Sequence, residues 1–465
     1  MKRVKYIIAF ACFVTVFPVS AQQVLTLDEC RQLALENNKQ MVIAAENREK
    51  AGYDVNMYRA NFGPRLSATG NYLFTSARME KTIPGAYLPT FVPDASGQLV
   101  PNILTTVDGV PLFREYAYFP DMNLELKLNG TYTAGLRLEQ PVYMGGKINS
   151  AYRMSKIGEE IAGMNEVKTR AETILQADEA YWTYVQALEL EKTARAYREL
   201  VGQLQADVQN AYDAGMKPRN DLLKVQVRFN EAELQVLQAS NGVRLARMNL
   251  CHVLGLPLTT EIAAAEALDG QKFTGLPEAD ITARPEYGML TKQVELKEQQ
   301  IRLARSEYLP NIGVGGNFGY ANGLKLNGDK LLDKTSFSAV VSVSIPIFHW
   351  GEGRNKVKSA ATERNIALLQ RDEISEQMEL ELRQAQNELE ESRMEVRLTT
   401  RSLEQAEENR QESRNRYDAG METMSDHLEA QTLWQQACSE QIRARTAARL
   451  SETRYLKAAG RLSAF

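Results

Sequence analysis

The stretch AYDAGM at residues 211–216 returns as RYDAGM at residues 416–421, 205 positions later. The same spacing relates further matched positions, namely Pro141 with Pro346, Gly146 with Gly351, Asp221 with Asp426, and Gly255 with Gly460. Upstream, FGP at 62–64 matches YLP at 308–310 with a spacing of 246, so the first copy carries 41 additional residues. Such constant spacings indicate an internally duplicated chain.

Each copy predicts the order helix, strand, strand, long helix, turn, long helix. The strands carry apolar residues at every second position, a pattern typical of β-strands with one apolar and one polar face. These runs lie at 66–74 and 124–138 in the first copy, and at 312–320 and 337–345 in the second. A strand of about ten residues has the length needed to cross a membrane at a tilt. The sequence therefore predicts four membrane strands.

Aromatic residues stand at the Pro-marked ends of these strands: Phe62, Tyr143, Tyr308, Phe348 and Trp350. Others, such as Tyr72 and Phe337, stand toward the opposite ends. Two aromatic girdles around an apolar band are typical of membrane β-barrels. The edge of a soluble β-sandwich would show the same alternation. The girdles, an export signal and the presence of only four strands favour the membrane interpretation.

The N-terminus carries the pattern of that export signal. Lys2, Arg3 and Lys5 precede an apolar stretch that ends in the small residues Ser20 and Ala21. This pattern predicts a signal peptide at 1–21. We expect the rest of the chain to divide into a first repeat at 22–255, a linker at 256–282 and a second repeat at 283–465.

The additional residues of the first copy lie between its two strands. The segment 78–120 contains six prolines, Pro84, Pro89, Pro93, Pro101, Pro111 and Pro120. Because the segment joins two of the predicted membrane strands, it would lie at the outer rim of a membrane β-barrel, and we expect an extended extracellular loop. A plug inside the lumen is the alternative.

Most of the remaining sequence is helical. No Pro or Gly lies between Gly353 and Tyr417, and small or apolar residues repeat there with the 4-3 spacing of a coiled coil. The apolar stripe is narrow and charged residues surround it, so it suits a curved wall of helices better than a globular core. A single helix of this length needs partners to persist in water.

The four predicted strands have a consequence for assembly. Four strands cannot close a barrel, and lipid does not tolerate open strand edges. A membrane protein with this sequence must therefore oligomerise. Two copies would supply eight strands, a barrel filled by side chains, whereas three would supply twelve and leave room for water.

Composition excludes several other classes of protein. A formal net charge of −4 argues against a nucleic-acid-binding protein. The three His and four Cys residues are scattered and form no metal-ligand spacing. No nucleophile is paired with a base, and no glycine-rich phosphate loop follows a strand. We therefore predict no catalytic site, no cofactor and no metal, and hence no enzyme.

Several short motifs occur in a fixed order along the chain. They are LTLDECRQLALENNKQM at 25–41, QPVYMGGK at 140–147, the two YDAGM turns, LCHVLGLP at 250–257, ARPEYGM at 283–289 and IPIFHWGEG at 345–353. In this order, and together with the duplication, the sequence resembles the TolC-like outer-membrane efflux family over nearly the whole exported chain.

The resemblance implies a mixed α and β fold in which three copies form a twelve-stranded β-barrel on an α-helical barrel. It implies a location in the outer membrane of a Gram-negative bacterium, with the helices in the periplasm. The implied partners are outer-membrane lipid, a periplasmic adaptor and an inner-membrane pump of the RND or ABC type. Cargo would pass passively through this channel in tripartite efflux or type I secretion. A secreted coiled-coil scaffold or adhesin without a pore is the alternative.

The resemblance also implies a periplasmic entrance at the YDAGM turns. The matching constriction residues are Asp221, Asp426 and Glu429, with Tyr212 and Tyr417 beside the turns and Gly215 and Gly420 within them. Glu422 stands where the best-studied member of the family has an Arg, so a closing salt bridge is in question, and Arg219 is a candidate substitute. Alternatively, Asp221 and Asp426 are acids that stabilise the first turns of helices.

Overall fold

The computed structural model describes residues 23–107, 110–128, 130–266, 268, 279–331 and 333–462. The predicted signal peptide at 1–21, together with residues 267 and 269–278 of the predicted linker, lies outside these residues. The described residues divide into a helical unit, within 1–55, 153–300 and 359–465, and a sheet unit, within 56–152 and 301–358.

The helices repeat in pairs of equal length. α3 and α6 each have 67 residues, α4 and α7 each have 35, and α2 and α5 each have 22. The bounds are α1 Leu27–Asn37, α2 Lys39–Ala60, α3 Lys147–Asp213, α4 Arg219–Val253, α5 Pro285–Ser306, α6 Glu352–Asp418 and α7 Met424–Ala458, with a short 3-10 helix at Ile281–Ala283. α6 and α7 begin and end 205 positions after α3 and α4, and α5 follows α2 at the spacing of 246. The backbone thus confirms the predicted duplication.

The two YDAGM turns end their helices in the same way. Gly215 and Gly420 adopt left-handed conformations with φ of 74° and 73°, which glycine reaches without a Cβ clash. The Met216 N–H donates to the Ala211 carbonyl at 2.8 Å, and the Met421 N–H donates to the Arg416 carbonyl at 2.9 Å. These are Schellman motifs, in which the glycine lets the chain reverse while the last carbonyls stay hydrogen-bonded. None of the helices of the described chain has an apolar stretch long enough to cross a membrane.

The strands are short except in one sheet. Their bounds are β1 Gln23–Leu25, β2 Arg65–Leu73, β3 Arg78–Ile83, β4 Ala86–Pro89, β5 Phe91–Pro93, β6 Leu99–Pro101, β7 Ile103–Val107, β8 Val110–Phe113, β9 Tyr116–Phe119, β10 Met122–Lys127, β11 Thr131–Met144, β12 Ile262–Ala264, β13 Asn311–Asn322, β14 Lys325–Leu326, β15 Asp329–Lys330 and β16 Asp333–Ser344. The main sheet has the order β16-β13-β11-β2, with every pair antiparallel. Its central pair, β11 and β13, joins the two copies of the repeat.

Pairing across the copies gives the main sheet one apolar and one polar face. Phe318 of β13 lies opposite Leu136 of β11 and Phe337 of β16. One residue along, Asn317 lies opposite Arg137 and Ser338 on the other face. Because alternate residues point to opposite faces, this register keeps the apolar side chains of all four strands together. Among the described residues, the outer edges of β2 and β16 pair with no further strand.

One predicted strand is interrupted. The alternation over 124–138 reads as a single strand, but β10 ends at Lys127 and β11 begins at Thr131. Gly130 lies in this break with φ of 73°. β10 turns away to pair with β3 and with β14 of the second copy. The interruption keeps the odd and even positions in phase, so a period-two pattern does not reveal it.

The segment 78–120 forms a series of hairpins. Its strand β3 pairs with β10, β4 pairs with β9, and two smaller hairpins, β5/β6 and β7/β8, follow between them. Tyr87 and Tyr118 face each other across β4 and β9 with 5.1 Å between ring centroids. The base of this segment is fixed to the second copy, because the Glu125 N–H donates to the Asn327 side chain at 2.7 Å.

The core of the helical unit gathers around α3. Tyr181 and Trp182 are fully buried there and contact each other edge to face at 5.3 Å. Asp178, also fully buried, accepts two hydrogen bonds of 2.7 Å from the Arg31 guanidinium and one of 2.7 Å from the Thr453 hydroxyl. This buried group ties α1 and α7 to α3.

Candidate functional site

The α6–α7 turn carries the predicted acids Asp426 and Glu429 into one cleft. The cleft has a volume of about 690 Å³ and contains two further carboxylates, Glu412 and Glu422. Arg416 also lines it and donates to Glu412 at 2.9 Å. The structure therefore groups two of the three predicted constriction acids on one negatively charged surface.

Asp426 also has the helix-capping contacts of the alternative interpretation. Its backbone N–H donates to the hydroxyl of Thr423, the N-cap of α7, at 3.2 Å. The same hydroxyl donates to Asp426 Oδ2 at 2.7 Å. An acid in the first helical turn is favoured by the helix dipole. Its side chain nevertheless remains exposed in the cleft, so both roles are compatible with the geometry.

Asp221 lies apart from that cleft, in the first turn of α4. Its backbone N–H donates to the Pro218 carbonyl at 3.1 Å, and its side chain is half-buried. The negative charge of Asp221 contributes to raising the pKa of Tyr417 in the second turn. Tyr212, the matching tyrosine of the first turn, is 37% exposed.

Tyr417 connects the two turns of one protomer. The Lys217 ammonium lies over its ring, 4.5 Å from the centroid, which is a cation–π contact. Burial raises the pKa of Tyr417, against the opposing charge of Lys217. A second link joins α4 to α7, because Lys224 Nζ donates to Ser425 Oγ at 2.8 Å.

Beneath Tyr417 lies a buried polar chain. His427 is 4% exposed, and its ring stacks on Tyr417 at 5.0 Å. Its Nδ1 lies 3.1 Å from Ser413 Oγ, its Nε2 lies 2.8 Å from Gln431 Nε2, and Ser413 donates to Glu422 at 2.5 Å. These contacts fit a neutral imidazole with the proton on Nδ1, assigned from the network. Burial lowers the pKa of His427, against the charges of Glu422 and Asp418.

This hydrogen-bonded network gives a role to Glu422, the residue that departs from the family pattern. Its carboxylate binds the Ser413 hydroxyl inside the protomer. Arg219, the proposed substitute, is exposed, and among the described residues no carboxylate forms an ion pair with it. Ser413 and Gln431 were not predicted from the sequence. The signal that could have found Gln431 is its i+4 spacing from His427 on one helix face.

The predicted girdle residues all belong to the sheet unit. Phe348 and Trp350 contact each other edge to face at 5.1 Å, Tyr308 contacts His349 at 5.9 Å, and Phe62 contacts Tyr152 at 5.7 Å. Phe62, Tyr143, Phe348 and Trp350 are exposed, Trp350 to 90%. Trp350 has a left-handed backbone with φ of 48°, where its counterpart in the first copy is Gly145 with φ of 59°. Among the described residues, no three His, Cys, Asp or Glu side chains are grouped to hold a metal ion.

The two copies of the repeat match a known family model. The model described as outer membrane efflux protein matches residues 30–256 and 281–461. The chain belongs to the outer membrane efflux protein family. This finding confirms the resemblance predicted from the sequence, and each matched segment covers one copy of the duplication.

A curated relative and several solved structures resemble this family member. The alkaline protease secretion protein AprF of Pseudomonas aeruginosa is 27% identical over 237 residues, which are 48% of this chain and 47% of the relative. The chain therefore spans about half the length of the curated relative it matches.

The Campylobacter jejuni CmeC outer membrane channel has a TM-score of 0.69 at 20% identity, covering 93% of this chain and 85% of that one. The open state of the Neisseria gonorrhoeae MtrE outer membrane channel has a TM-score of 0.71 at 17% identity, covering 93% and 88%. These likenesses confirm the predicted mixed α and β fold.

Proposed function

We propose that three copies of this chain form an outer-membrane channel, a passive duct for cargo that an inner-membrane pump supplies through a periplasmic adaptor. The single observation that carries this proposal is the main sheet, which has one exposed apolar face, one polar face and, within the described part of the chain, two unpaired edges. In lipid, such edges are stable only when they pair with another strand. Pairing β2 of one copy with β16 of the next would close twelve strands, with the apolar face toward lipid and the polar face toward water.

The helices supply a second argument for a ring. α4 carries exposed apolar residues along one helix face. They are Leu223, Val227, Leu234, Leu237 and Leu245, each about half exposed or more. The matching positions of α7 are half-buried or buried, Leu428, Thr432, Ser439, Ile442 and Leu450. Residues of the first copy cover this face of α7, because Leu428 packs beside Val201 and Leu204, and Ile442 and Leu450 pack against the cluster around Tyr181. The second copy of a neighbouring chain would cover α4 in the same way, and such head-to-tail contacts close into a ring.

The entrance belongs to the same proposal. Three chains would bring Asp221, Asp426 and Glu429 around one axis as a constriction, with Tyr212 and Tyr417 beside it. Gly215 and Gly420 would be the points at which the helices splay when an adaptor opens the duct. Among the residues that the structure describes, no salt bridge involves Glu422 or Arg219, so we expect the lock to lie in contacts between protomers.

The names of the relative and of the family model point to two kinds of cargo. AprF is named for the secretion of alkaline protease, whereas the family model is named for efflux. For this chain we propose either small-molecule efflux or type I secretion. The repeats at 22–255 and 283–465, joined by the linker at 256–282, would each contribute half of the wall.

We further propose that the segment 78–120 is an extracellular loop. Its hairpins are exposed along nearly their whole length. Protease added to intact cells should then cut between Arg78 and Pro120. Protection of this segment, with cleavage in 324–333 instead, would support a plug inside the lumen.

Conductance across planar bilayers tests the channel proposal. We expect discrete conductance steps from the full chain, small in the resting state and larger once the entrance is loosened by an Asp426→Ala/Glu429→Ala variant. A scaffold or adhesin without a pore would give no steps in either form. Outer-membrane fractionation of the expressing cells provides the matching check on location.

A further inference from the structure

The polar face of the sheet unit holds a cavity of about 730 Å³. It lies where the main sheet meets the last turn of α2 and the first turns of α3. Pockets that bind drug-sized molecules have volumes of about 300–1,000 Å³. The size of this cavity therefore suits a small organic ligand.

The charged groups in the cavity are mostly cations. Arg65, Arg137 and Lys147 line it, with Glu139 as the one lining carboxylate. Arg137 forms an ion pair with Glu139 at 2.7 Å, and Arg65 donates to Asn61. In the described chain, no carboxylate forms an ion pair with Lys147 or Arg65. Glu139 also lies directly opposite Arg65 in the pairing of β11 with β2, so three cations share one carboxylate and the concave site keeps a net positive charge.

The duplication shows that the repeat itself does not require these cations. At the spacing of 246, Arg65 corresponds to Asn311. At the spacing of 205, Arg137 corresponds to Ser342, Glu139 to Ser344 and Lys147 to Glu352. An acid at the start of a helix, as at Glu352, is what the helix dipole favours. Lys147 has the opposite sign, so the first copy carries a local excess of positive charge that folding does not explain.

The rest of the cavity wall is apolar. Tyr58, Met144, Ile148 and Val340 line it beside the cations. A ligand that matches both parts must combine an anionic head with an apolar body. The cavity opens on the polar face, opposite the side chains of Leu136 and Phe318, so a water-soluble amphiphile fits it better than a membrane lipid.

We propose that this cavity binds a small anionic amphiphile. Arg65 and Lys147 bind its carboxylate or sulfate group, and Tyr58, Met144 and Ile148 contact its apolar body. The binding site stands on the sheet unit alone. Its use as a stopping point for cargo inside the duct rests on the proposed function.

Cholate is a suitable probe because it has one carboxylate and an apolar steroid body. The full chain in phosphatidylcholine nanodiscs is titrated calorimetrically with cholate below its critical micelle concentration, with empty nanodiscs as background. We expect saturable binding that Arg65→Gln/Lys147→Gln weakens about fivefold to tenfold, as the loss of two partly exposed charge contacts implies. Glu139→Gln should strengthen binding, because it releases Arg137 and removes the competing carboxylate.

The matched control is Lys334→Gln. Lys334 lies on the polar face of β16, opposite Ala321 and outside the cavity, and its replacement should leave cholate binding unchanged. Equal losses for Lys334→Gln and Lys147→Gln would reduce the effect to general charge attraction and overturn the site. Equal affinity for cholate and its uncharged methyl ester would overturn the anionic class. Displacement of cholate by phosphatidylglycerol in the disc would assign the cavity to lipid and overturn the proposal.

The two proposals fail separately. A chain that binds cholate through Lys147 but never conducts would overturn the channel and keep the site. A conducting channel whose cholate binding ignores Arg65 and Lys147 would do the reverse.

Discussion

The phenol ring of Tyr417 lies nearly parallel to the imidazole of His427, with 5.0 Å between centroids and 9° between planes. This stack joins the end of α6 to the start of α7 across the Gly420 turn. The Lys217 contact on the same tyrosine extends the connection to the first turn. The turns of the proposed entrance are therefore connected to a buried, titratable residue, His427.

Acid should loosen the α6–α7 turn. Burial lowers the pKa of His427 below its ordinary value of 6.5, so the unfolded turn takes up a proton at a higher pH than the folded one. The stability that the neutral ring contributes is complete above pH 6.5 and is lost as pH falls through 6.5 toward the lower folded value. Hydrogen exchange of the amides flanking Gly420, corrected for intrinsic rates, should show faster opening at pH 5.5 than at pH 7.5.

His427→Gln tests the source of this pH dependence, because glutamine keeps a polar group but does not titrate. Its exchange should be nearly equal at both pH values. His252, an exposed histidine near the end of α4, provides the control, and His252→Gln should leave the pH dependence intact. An unchanged pH response in His427→Gln would remove this residue from the explanation.

The entrance acids should set ion preference. Three copies of Asp221, Asp426 and Glu429 would place nine carboxylates around one axis, and rings of carboxylates favour cations. Reversal potentials under a salt gradient should show cation preference that is strongest at low salt, and Asp426→Ala/Glu429→Ala should bring the permeability ratio closer to one. Glu404→Ala, a replacement on the exposed face of α6, is the control. If the double variant keeps full selectivity, these acids act only as helix-stabilising residues.

Two glycine replacements should change the free energy of unfolding in opposite directions. A Cβ at Gly420 would meet open space, but the φ of 73° makes any other residue strained, so Gly420→Ala should destabilise the protein by about 1–2 kcal/mol. Gly242 lies inside α4, also with open space around it, and Gly242→Ala should stabilise by about 0.5–1 kcal/mol. Equilibrium unfolding in detergent compares them. Stabilisation by both would contradict the left-handed turn.

The buried carboxylate of Asp178 should matter far more than its exposed neighbour. Removing it leaves the Arg31 guanidinium without the pair of 2.7 Å bonds that compensates its burial, so Asp178→Ala should cost about 3–5 kcal/mol. Glu179 pairs with Arg454 at 2.9 Å on the surface, and Glu179→Ala should cost less than about 1 kcal/mol. Similar losses of thermal stability for the two variants would show that the anchor of α1 lies elsewhere.

The sequence predicted the repeat well because a duplication leaves the same local signals twice. Gly215 and Gly420 are required by the same left-handed turn, so the matched bounds of α3 and α6 follow from matched residues. The faces of the strands were equally accessible, since Leu136 and Phe318 each follow a period of two.

Other features depend on partners that local patterns do not name. The pairing of β11 with β13 of the other copy depends on residues far apart in the sequence. The break near Gly130 leaves the period-two alternation intact, so the alternation does not reveal the break. The Ser413, His427 and Glu422 chain forms only after α6 and α7 pack. The cationic cavity likewise joins Arg65, Arg137 and Lys147 from three separate elements.

The number of chains in the assembly tests the central claim most directly. Native mass spectrometry of the full chain, released from the outer membrane in a neutral detergent, should give the mass of three copies, because only then do the open edges of β2 and β16 form twelve closed strands. A stable monomer as the dominant species in this measurement would contradict the channel.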